Sequence, residues 1–421
     1  MIWSLCFENL RDRMRFKQVS GNVAKSMLVA AAFSLVLPTA WISLFLILFL
    51  LFWVLSGDFH LKSRRVAANP AALTALALFA FYGVGTLYSS ATWEESLEVW
   101  GKYHKLLFIP VIVSLLDDNV WRRRAGDAFF WGMMLVLAIS YLKWLGWYPH
   151  QEIGQGYFVF KGRIAHNIFM AFALFLVLER AYLDHPRRWL WVTVAFLVVA
   201  NVLFLVNGRT GQVLLPLVFM MFASKRWGWR PALGATTAVV ALFAAALAFP
   251  PVSAALRDSR MLQINQEIES HHIDGSEQTS SGQRLEFYRN TLALIGEHPL
   301  FGRGTGSFEA AYRNYAERNG YALSQVSNPH NEYLLTMQQL GLAGLLMLLF
   351  MGWTHWRAAR QLDPVDAERL HALIMVIGVG ALFNSLLFDA GEGKFYCLLA
   401  GVYLSGWGAP DVKRMDNHVA S

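Results

Sequence analysis

Residues 26–55 read SMLVAAAFSLVLPTAWISLFLILFLLFWVL, without a single charged side chain. A helix needs about 20 apolar residues to cross the roughly 30 Å hydrocarbon core of a bilayer, so this run is long enough to cross more than once. Pro38 divides it, because a proline removes one backbone hydrogen bond from a helix. We therefore predict two membrane helices here, both retained as anchors instead of being removed as a signal peptide.

The rest of the chain repeats this pattern. Hydrophobic residues make up 56% of the 421 residues and charged residues only 15%, a composition typical of a chain whose main solvent is lipid. The apolar runs are continuous rather than alternating, which favours helices over a β-barrel. We predict an all-α polytopic membrane protein with about 12 spans, near residues 23–37, 39–56, 70–88, 101–116, 127–147, 164–183, 189–206, 209–223, 231–249, 330–353, 371–388 and 394–409.

Positive charge predicts the orientation of these spans. The net charge of +7 comes from short basic clusters in alternate connections, and such clusters mark the cytoplasmic side, so nucleic acid is not an expected partner. Both termini should be cytoplasmic, in a bacterial inner membrane. The domains are then residues 1–249 with nine spans, a large periplasmic loop at 250–329, and residues 330–421 with three spans and a cytoplasmic tail. Cys6 and Cys397 suggest no disulfide.

Three arginines on the periplasmic side are candidate anion-binding residues. Arg209 opens the eighth span, where unpaired N–H groups and the positive end of the helix dipole would add to its charge. Arg284 and Arg289 lie on an amphipathic loop helix predicted at 282–297, with Arg284 in its first turn, and they point about 140° apart. The alternative for all three is contact with lipid headgroups or solvent.

His330 is the candidate general base. Asn328 and Pro329 resemble a helix cap and first position, which would place His330 in the first turn of the tenth span and keep its imidazole neutral. A structural role at the membrane interface is the alternative. Arg163, at the start of the sixth span, and Asp389, in the last hairpin, are weaker candidates with the same alternative.

Some motifs are missing from the sequence. It contains no Walker loop, no Cys-x-x-Cys pair, no His-Glu-x-x-His and no Asp-x-Asp cluster on the periplasmic side. These are the usual ligands for nucleotides and for tightly bound metals. We therefore predict no metal and no cofactor, with arginines supplying the electrostatic stabilisation.

An ordered set of short motifs resembles the O-antigen ligase and polymerase superfamily. The set runs from about Gly162 to Asp389, and it includes NGRTG at 207–211, QR at 283–284, HPLFG at 298–302, GTGSF at 304–308 and HNEYL at 330–334, followed by Gly341 and Gly344. The resemblance implies a membrane-embedded glycosyltransferase of GT-C type whose donor is an undecaprenyl-diphosphate-linked polysaccharide. It also implies that Arg209 and Arg284 bind the donor diphosphate and that His330 activates the acceptor hydroxyl. Arg289 and Arg163 are further candidates for the diphosphate, and Asp389 and Asn331 for supporting roles.

The first expectation is an O-antigen ligase, which transfers the polymer to a sugar of lipid A-core by metal-independent inverting transfer. An O-antigen polymerase would use the same donor, and a protein O-oligosaccharyltransferase is a third member of this group. A flippase or transporter for lipid-linked glycan is the alternative from another class. A transporter needs polar groups near the bilayer midplane, and apart from Lys143 the predicted spans carry almost no charge.

Overall fold

A computed structural model describes residues 2–148, 156–206, 208–248, 280–320 and 326–407, which form helices and no strand. This part of the chain confirms the prediction of an all-helical protein with several membrane-spanning helices. Residues 250–279 and 321–325 of the predicted periplasmic loop, and the predicted cytoplasmic tail from residue 408 onward, lie outside the described residues.

The first half of the described chain contains the helices α1 Ile2–Ser34, α2 Thr39–Leu55, α3 Phe59–Ala67, α4 Pro70–Thr86, α5 Trp93–Lys102, α6 Phe108–Leu115, α7 Asn119–Trp144, α8 Arg163–Leu183 and α9 Arg188–Ala200. The second half contains α10 Arg209–Trp227, α11 Trp229–Ala248, α12 Ser280–Glu297, α13 Phe308–Asn319, α14 Glu332–Ala359, α15 Pro364–Gly380 and α16 Ala390–Leu404.

Four stretches of the described chain are long and apolar enough to cross a membrane. They are Asn119–Trp144, Arg163–Leu183, His185–Leu205 and Glu332–Ala359, and the pair α2 and α3, bent by 113°, makes a fifth if it counts as one span. Most other predicted spans coincide with helices that are shorter or more polar, such as Pro70–Thr86. The total of twelve crossings and the GT-C architecture stay predictions.

The predicted span at 101–116 is not one continuous helix. A tight helical turn at Tyr103–Leu107 separates α5 from α6, and the eight residues of α6 rise only about 12 Å at 1.5 Å per residue. The turn brings the buried ammonium of Lys105 within hydrogen-bonding distance of the carbonyls of Phe388, at 3.0 Å, and Asp389, at 2.8 Å. Hydropathy alone misses this break, because one buried lysine hardly changes the average.

α8 is the central helix, buried along most of its length and in contact with α9, α10 and α15. Its phenylalanines pack on those of α7 and α16, with Phe169 and Phe395 at a centroid distance of 4.4 Å. Near the other end of α8, the guanidinium of Arg369 donates two hydrogen bonds to the carboxylate of Glu179. Close packing and satisfied polar pairs are what hold helices together in lipid, where the hydrophobic effect between helices is weak.

α14 is broken at Gly341, which has φ +64°. The carbonyls of Gln338 and Gln339 accept hydrogen bonds from the N–H groups of Arg303, at 3.1 Å, and Gly304, at 2.8 Å. In a regular helix, the carbonyls of Gln338 and Gln339 would accept from the N–H groups of Leu342 and Ala343. Here those two N–H groups donate instead to the carbonyls of Pro299 and Leu300.

The loop HPLFGRG therefore replaces the bonds that the break removes, as a chain inside a membrane protein requires. A Cβ on Gly302 would lie 2.4 Å from the carbonyl of Gln339, and a Cβ on Gly304 would lie 2.2 Å from Cα of Ser89. The glycines of this loop thus allow close backbone contact with α14, at Gly302, and with the segment after α4, at Gly304.

Candidate active site

Arg209 is the first residue of α10, and two glycines position it. A Cβ on Gly208 would lie 2.1 Å from Nδ2 of Asn167, and one on Gly211 would lie 2.8 Å from its Cβ. The Asn167 amide donates to the carbonyl of Val206 at 2.8 Å. These contacts lock the start of α10 to α8, and Arg209 is half-buried there. Asn207, the first residue of the NGRTG motif, lies outside the described residues.

The loop helix α12 begins at Ser280, slightly earlier than predicted, so Arg284 lies beyond its first turn. The sequence pattern predicts an apolar stripe of Leu285, Tyr288, Leu292 and Ile295, but Leu285 and Leu292 are exposed. The buried side chains of α12 include Phe287, Asn290, Thr291, Leu294 and Ile295. The Asn290 amide donates to the Tyr312 hydroxyl at 3.1 Å, and the Phe287 ring meets the Tyr312 ring edge-on. Polar anchors within the stripe explain the difference, since the apolar pattern alone does not reveal them.

His330 does not lie in the first turn of α14, and this prediction was wrong. The helix begins at Glu332, and its cap is Asn331, whose side chain accepts a hydrogen bond from the Leu334 N–H at 3.0 Å. His330 precedes the cap with φ +53°, in the left-handed region. Asn328 holds it there by accepting the His330 N–H at 2.9 Å. The asparagine at 331 competes with Asn328 for the cap, and the sequence could not rank them.

The turn between α15 and α16, residues 381–389, is hydrogen-bonded to Tyr288 and to the start of α14. The Tyr288 hydroxyl donates to the carbonyls of Leu382, at 2.8 Å, and His330, at 3.2 Å. The Asn331 amide also donates to Leu382, at 3.0 Å. The buried Glu332 carboxylate accepts the N–H groups of Leu387 and Phe388 at 2.8 and 3.1 Å. Asn331 thus has a supporting role in the structure, as helix cap and as a hydrogen-bond donor to this turn.

The structure brings Arg209, Arg284 and His330 into one electrostatic neighbourhood. Burial first, and repulsion from the Arg209 charge as well, lower the pKa of Arg284 below its ordinary value, while Tyr288 acts in the opposite direction. Burial also lowers the pKa of His330, and the Arg284 charge lowers it further. The lowered pKa favours the neutral imidazole, and its causes are burial and Arg284 instead of the helix dipole, because His330 lies outside the helix whose dipole was expected to act on it.

Two residues of this neighbourhood were missed from the sequence. Asn384, in the turn between α15 and α16, is only 1% exposed, and its amide lies beside the His330 ring and partly opposes the lowering of the pKa of His330. Tyr288 follows Arg284 by one helical turn, so its proximity could have been found from i,i+4 spacing. Nothing local could have revealed Asn384, which lies more than fifty positions from His330 along the chain.

Comparison with known proteins supports the resemblance. Residues 194–349 match the model of a family described as O-Antigen ligase. Over this segment the chain is similar to that family. The matched segment includes Arg209, Arg284, His330 and the broken start of α14. The chain is also similar to an uncharacterized protein of Haemophilus influenzae, with 20% identity over 278 residues, which are 65% of this chain and 69% of that protein.

The remaining predicted site residues lie at different places. Arg289 is exposed on α12. Arg163 opens α8 and lines a cavity with Lys161 and Glu392. Asp389 caps the start of α16 without a side-chain capping bond, and burial raises its pKa to about 6. Within the described ranges, no three His, Cys, Asp or Glu side chains are grouped as metal ligands.

Proposed function

We propose that the protein is an O-antigen ligase, which transfers polysaccharide from an undecaprenyl-diphosphate donor to a sugar hydroxyl of lipid A-core on the periplasmic side of the inner membrane. The observation that carries the proposal is a half-buried histidine, His330, whose pKa is lowered by burial and by the charge of Arg284, with Arg209 close enough to Arg284 to lower the pKa of that arginine in turn. The family match over residues 194–349 supports a ligase or polymerase type of activity.

The arginines are suited to the leaving group. As the glycosidic bond breaks, negative charge accumulates on the diphosphate, and cations held in place before the reaction stabilise that charge more in the transition state than in the ground state. Arg209 lies at the N-terminus of α10, where the helix dipole adds to its charge. Arg209 and Arg284 repel each other in the free protein, and a bound diphosphate would relieve that repulsion.

His330 is suited to the acceptor. The acceptor hydroxyl oxygen attacks the anomeric carbon while the bond from that carbon to the diphosphate oxygen breaks, and the hydroxyl proton passes to the neutral imidazole. The bond electrons leave with undecaprenyl diphosphate. Attack from the face opposite to the leaving group inverts the anomeric configuration. Each role is filled by a side chain of this chain, and the proposal includes no metal.

Two experiments test the proposal. Purified protein, given lipid-linked polymer and lipid A-core, should produce polymer-bearing lipid A-core that migrates more slowly on a gel. A deletion strain should lack polymer on its lipopolysaccharide and accumulate long polymer on the lipid carrier. If the deletion strain instead carries single repeats on core, the protein is a polymerase; if neither pool changes, the glycosyltransferase proposal fails.

A further inference from the structure

A second charged cavity lies at the outer ends of α2, α8 and α16. Its volume is about 420 Å³, and its polar lining includes Thr39, Lys161, Arg163 and Glu392. None of its lining residues belongs to α10, α12 or the segment before α14, which carry Arg209, Arg284 and His330. The cavity is thus built from different elements than the proposed catalytic site.

Three helices begin at this cavity. Its wall includes Thr39, the first residue of α2, the segment 162–165 at the start of α8, and Gly391 and Glu392 in the first turn of α16. The residues that precede these helices, Pro38, Gly162 and Asp389, make no side-chain capping bond. The cap residues therefore leave backbone N–H groups without their usual side-chain partner, although at the start of α16 the Glu392 carboxylate bonds to its own N–H. The positive ends of three helix dipoles converge on one space, which favours an anion.

The charged side chains fit this field. The ammonium of Lys161 donates to Oγ1 of Thr39 at 3.1 Å, which holds it at the cavity wall. Burial lowers the pKa of Lys161, and nearby Lys394 lowers it further, whereas Glu392 opposes this shift. Two cationic residues thus face one carboxylate across the cavity.

Glu392 is the unusual member. It is only 8% exposed, yet among the described residues its carboxylate makes no hydrogen bond or ion pair with another residue's side chain. Its own backbone N–H donates to the carboxylate, which leaves further acceptor positions that a donor group of a ligand can fill. A ligand with an anionic group could bind Lys161 and Arg163, and a hydroxyl or ammonium group on the same ligand could donate to Glu392.

The helix α2, which begins at the cavity, has an exposed apolar face. α2 presents exposed Trp41, Leu44 and Ile47 within its first nine residues, and such a face is expected to contact the acyl chains of the bilayer. We propose that this cavity binds the phosphate-bearing headgroup of a membrane lipid, with the phosphate at Lys161, Arg163 and the helix starts, and a hydroxyl or ammonium group at Glu392. The two sources of this chemistry are the phosphorylated acceptor glycolipid, which rests on the proposed function, and an ordinary phospholipid.

Binding, measured without any transfer reaction, tests the proposal. Full-length protein in detergent is given bisphosphorylated lipid A, the same lipid after phosphatase treatment, or phosphatidylethanolamine, and bound lipid is counted by native mass spectrometry. We expect at least a tenfold loss of lipid A affinity when its phosphates are removed, and the same loss in the Lys161→Gln/Arg163→Gln variant. Arg318→Ala, an exposed arginine on α13, is the matched control and should bind lipid as the wild type does.

The comparison of lipids identifies the source. Preference for bisphosphorylated lipid A assigns the cavity to the acceptor, and preference for phosphatidylethanolamine assigns it to a phospholipid; both results support a lipid phosphate site. Equal affinity of the wild type and the double variant for every lipid overturns it. A double variant that keeps lipid A binding but loses affinity for the lipid diphosphate donor also overturns the proposal. That result would indicate that Arg163 binds the donor diphosphate. These experiments measure binding and not activity, so their results can be interpreted even if the ligase proposal fails.

Discussion

The imidazole ring of His330 lies against the ring of Phe287, with the centroids 6.0 Å apart and the planes inclined by 30°. Phe287 follows Arg284 by three residues on α12, so a single helix carries both the wall beside the proposed base and one of the proposed phosphate ligands. The docking of α12, through Phe287 and Asn290, therefore sets the position of the arginine relative to the histidine.

His330→Ala should abolish transfer and leave the affinity for the lipid diphosphate donor nearly unchanged, because the arginines hold that group. Loss of general-base assistance typically costs about 10²–10⁴ in rate. His330→Gln keeps a hydrogen-bonding side chain without useful basicity and should be equally inactive. Transfer rate and donor binding measured on the same preparations check this. Substantial activity in the glutamine variant would make His330 a positioning residue, and Asp389 or Glu332 the next candidate for the base.

The pH dependence follows from the direction of the pKa shift. Since transfer needs neutral imidazole and the pKa of His330 lies below its ordinary 6.5, activity should rise with pH through a limb below 6.5 and then level off. Asn384→Asp places a carboxylate beside the ring, favours the charged form and should move the limb to higher pH. Asn384→Ala removes an interaction that favours the charged form and should move it lower. Profiles of kcat against pH that coincide for all three proteins would separate Asn384 from the base.

Arg209→Ala and Arg284→Ala should each remove most of the activity. Charge-assisted hydrogen bonds are worth about 1.5–3 kcal/mol each, so donor affinity should fall by roughly one to two orders of magnitude. Substitution of either arginine by lysine should preserve only part of the donor affinity, because lysine lacks the planar pair of donors that matches phosphate. Arg318→Ala, at an exposed arginine on α13, serves as the control. Normal donor affinity in either alanine variant would indicate that the residue contacts lipid headgroups instead.

Arg289→Ala tests a weaker prediction. The side chain is exposed on α12, so it should contribute less to donor affinity than Arg284 if the diphosphate binds between α10 and α12. Titration of the lipid diphosphate donor against both variants compares them directly. A larger loss in Arg289→Ala would move the donor site to the exposed face of α12.

Gly341→Ala should destabilise the protein. A Cβ there would lie 2.3 Å from the carbonyl carbon and oxygen of Leu300, and the left-handed φ of +64° disfavours any other residue. The expected loss of unfolding free energy is about 1–3 kcal/mol, visible as a lower midpoint in thermal unfolding in detergent. Gly352→Ala, on the same helix with nothing within 4 Å of the added Cβ, should be neutral or stabilising by up to about 1 kcal/mol. Equal midpoints for both variants would mean that the loop does not hold the break in α14.

Transfer by the purified protein should continue at an undiminished rate in excess chelator. The reason is that two arginines and a helix N-terminus supply the positive charge that a metal would otherwise provide at the diphosphate. Rates with and without chelator, followed by addition of Mg²⁺ or Mn²⁺, check this. A rate that depends on added metal would show that the electrostatic role assigned to Arg209 and Arg284 is wrong.

The amino-acid sequence by itself determined the helical character, most helix positions and the motif set that the family match confirms over residues 194–349. These features are local: apolar runs, prolines and caps act within a few residues of themselves, so the bounds of α2, α4 and α8 follow closely from the pattern. The tertiary structure alone decided three features. Residues 299–304 exchange hydrogen bonds with the break in α14 at Gly341. His330 lies outside α14, and Asn384 approaches the His330 ring. Each of these depends on contacts between segments far apart in the chain, and only the packing of whole helices determines which buried polar groups meet.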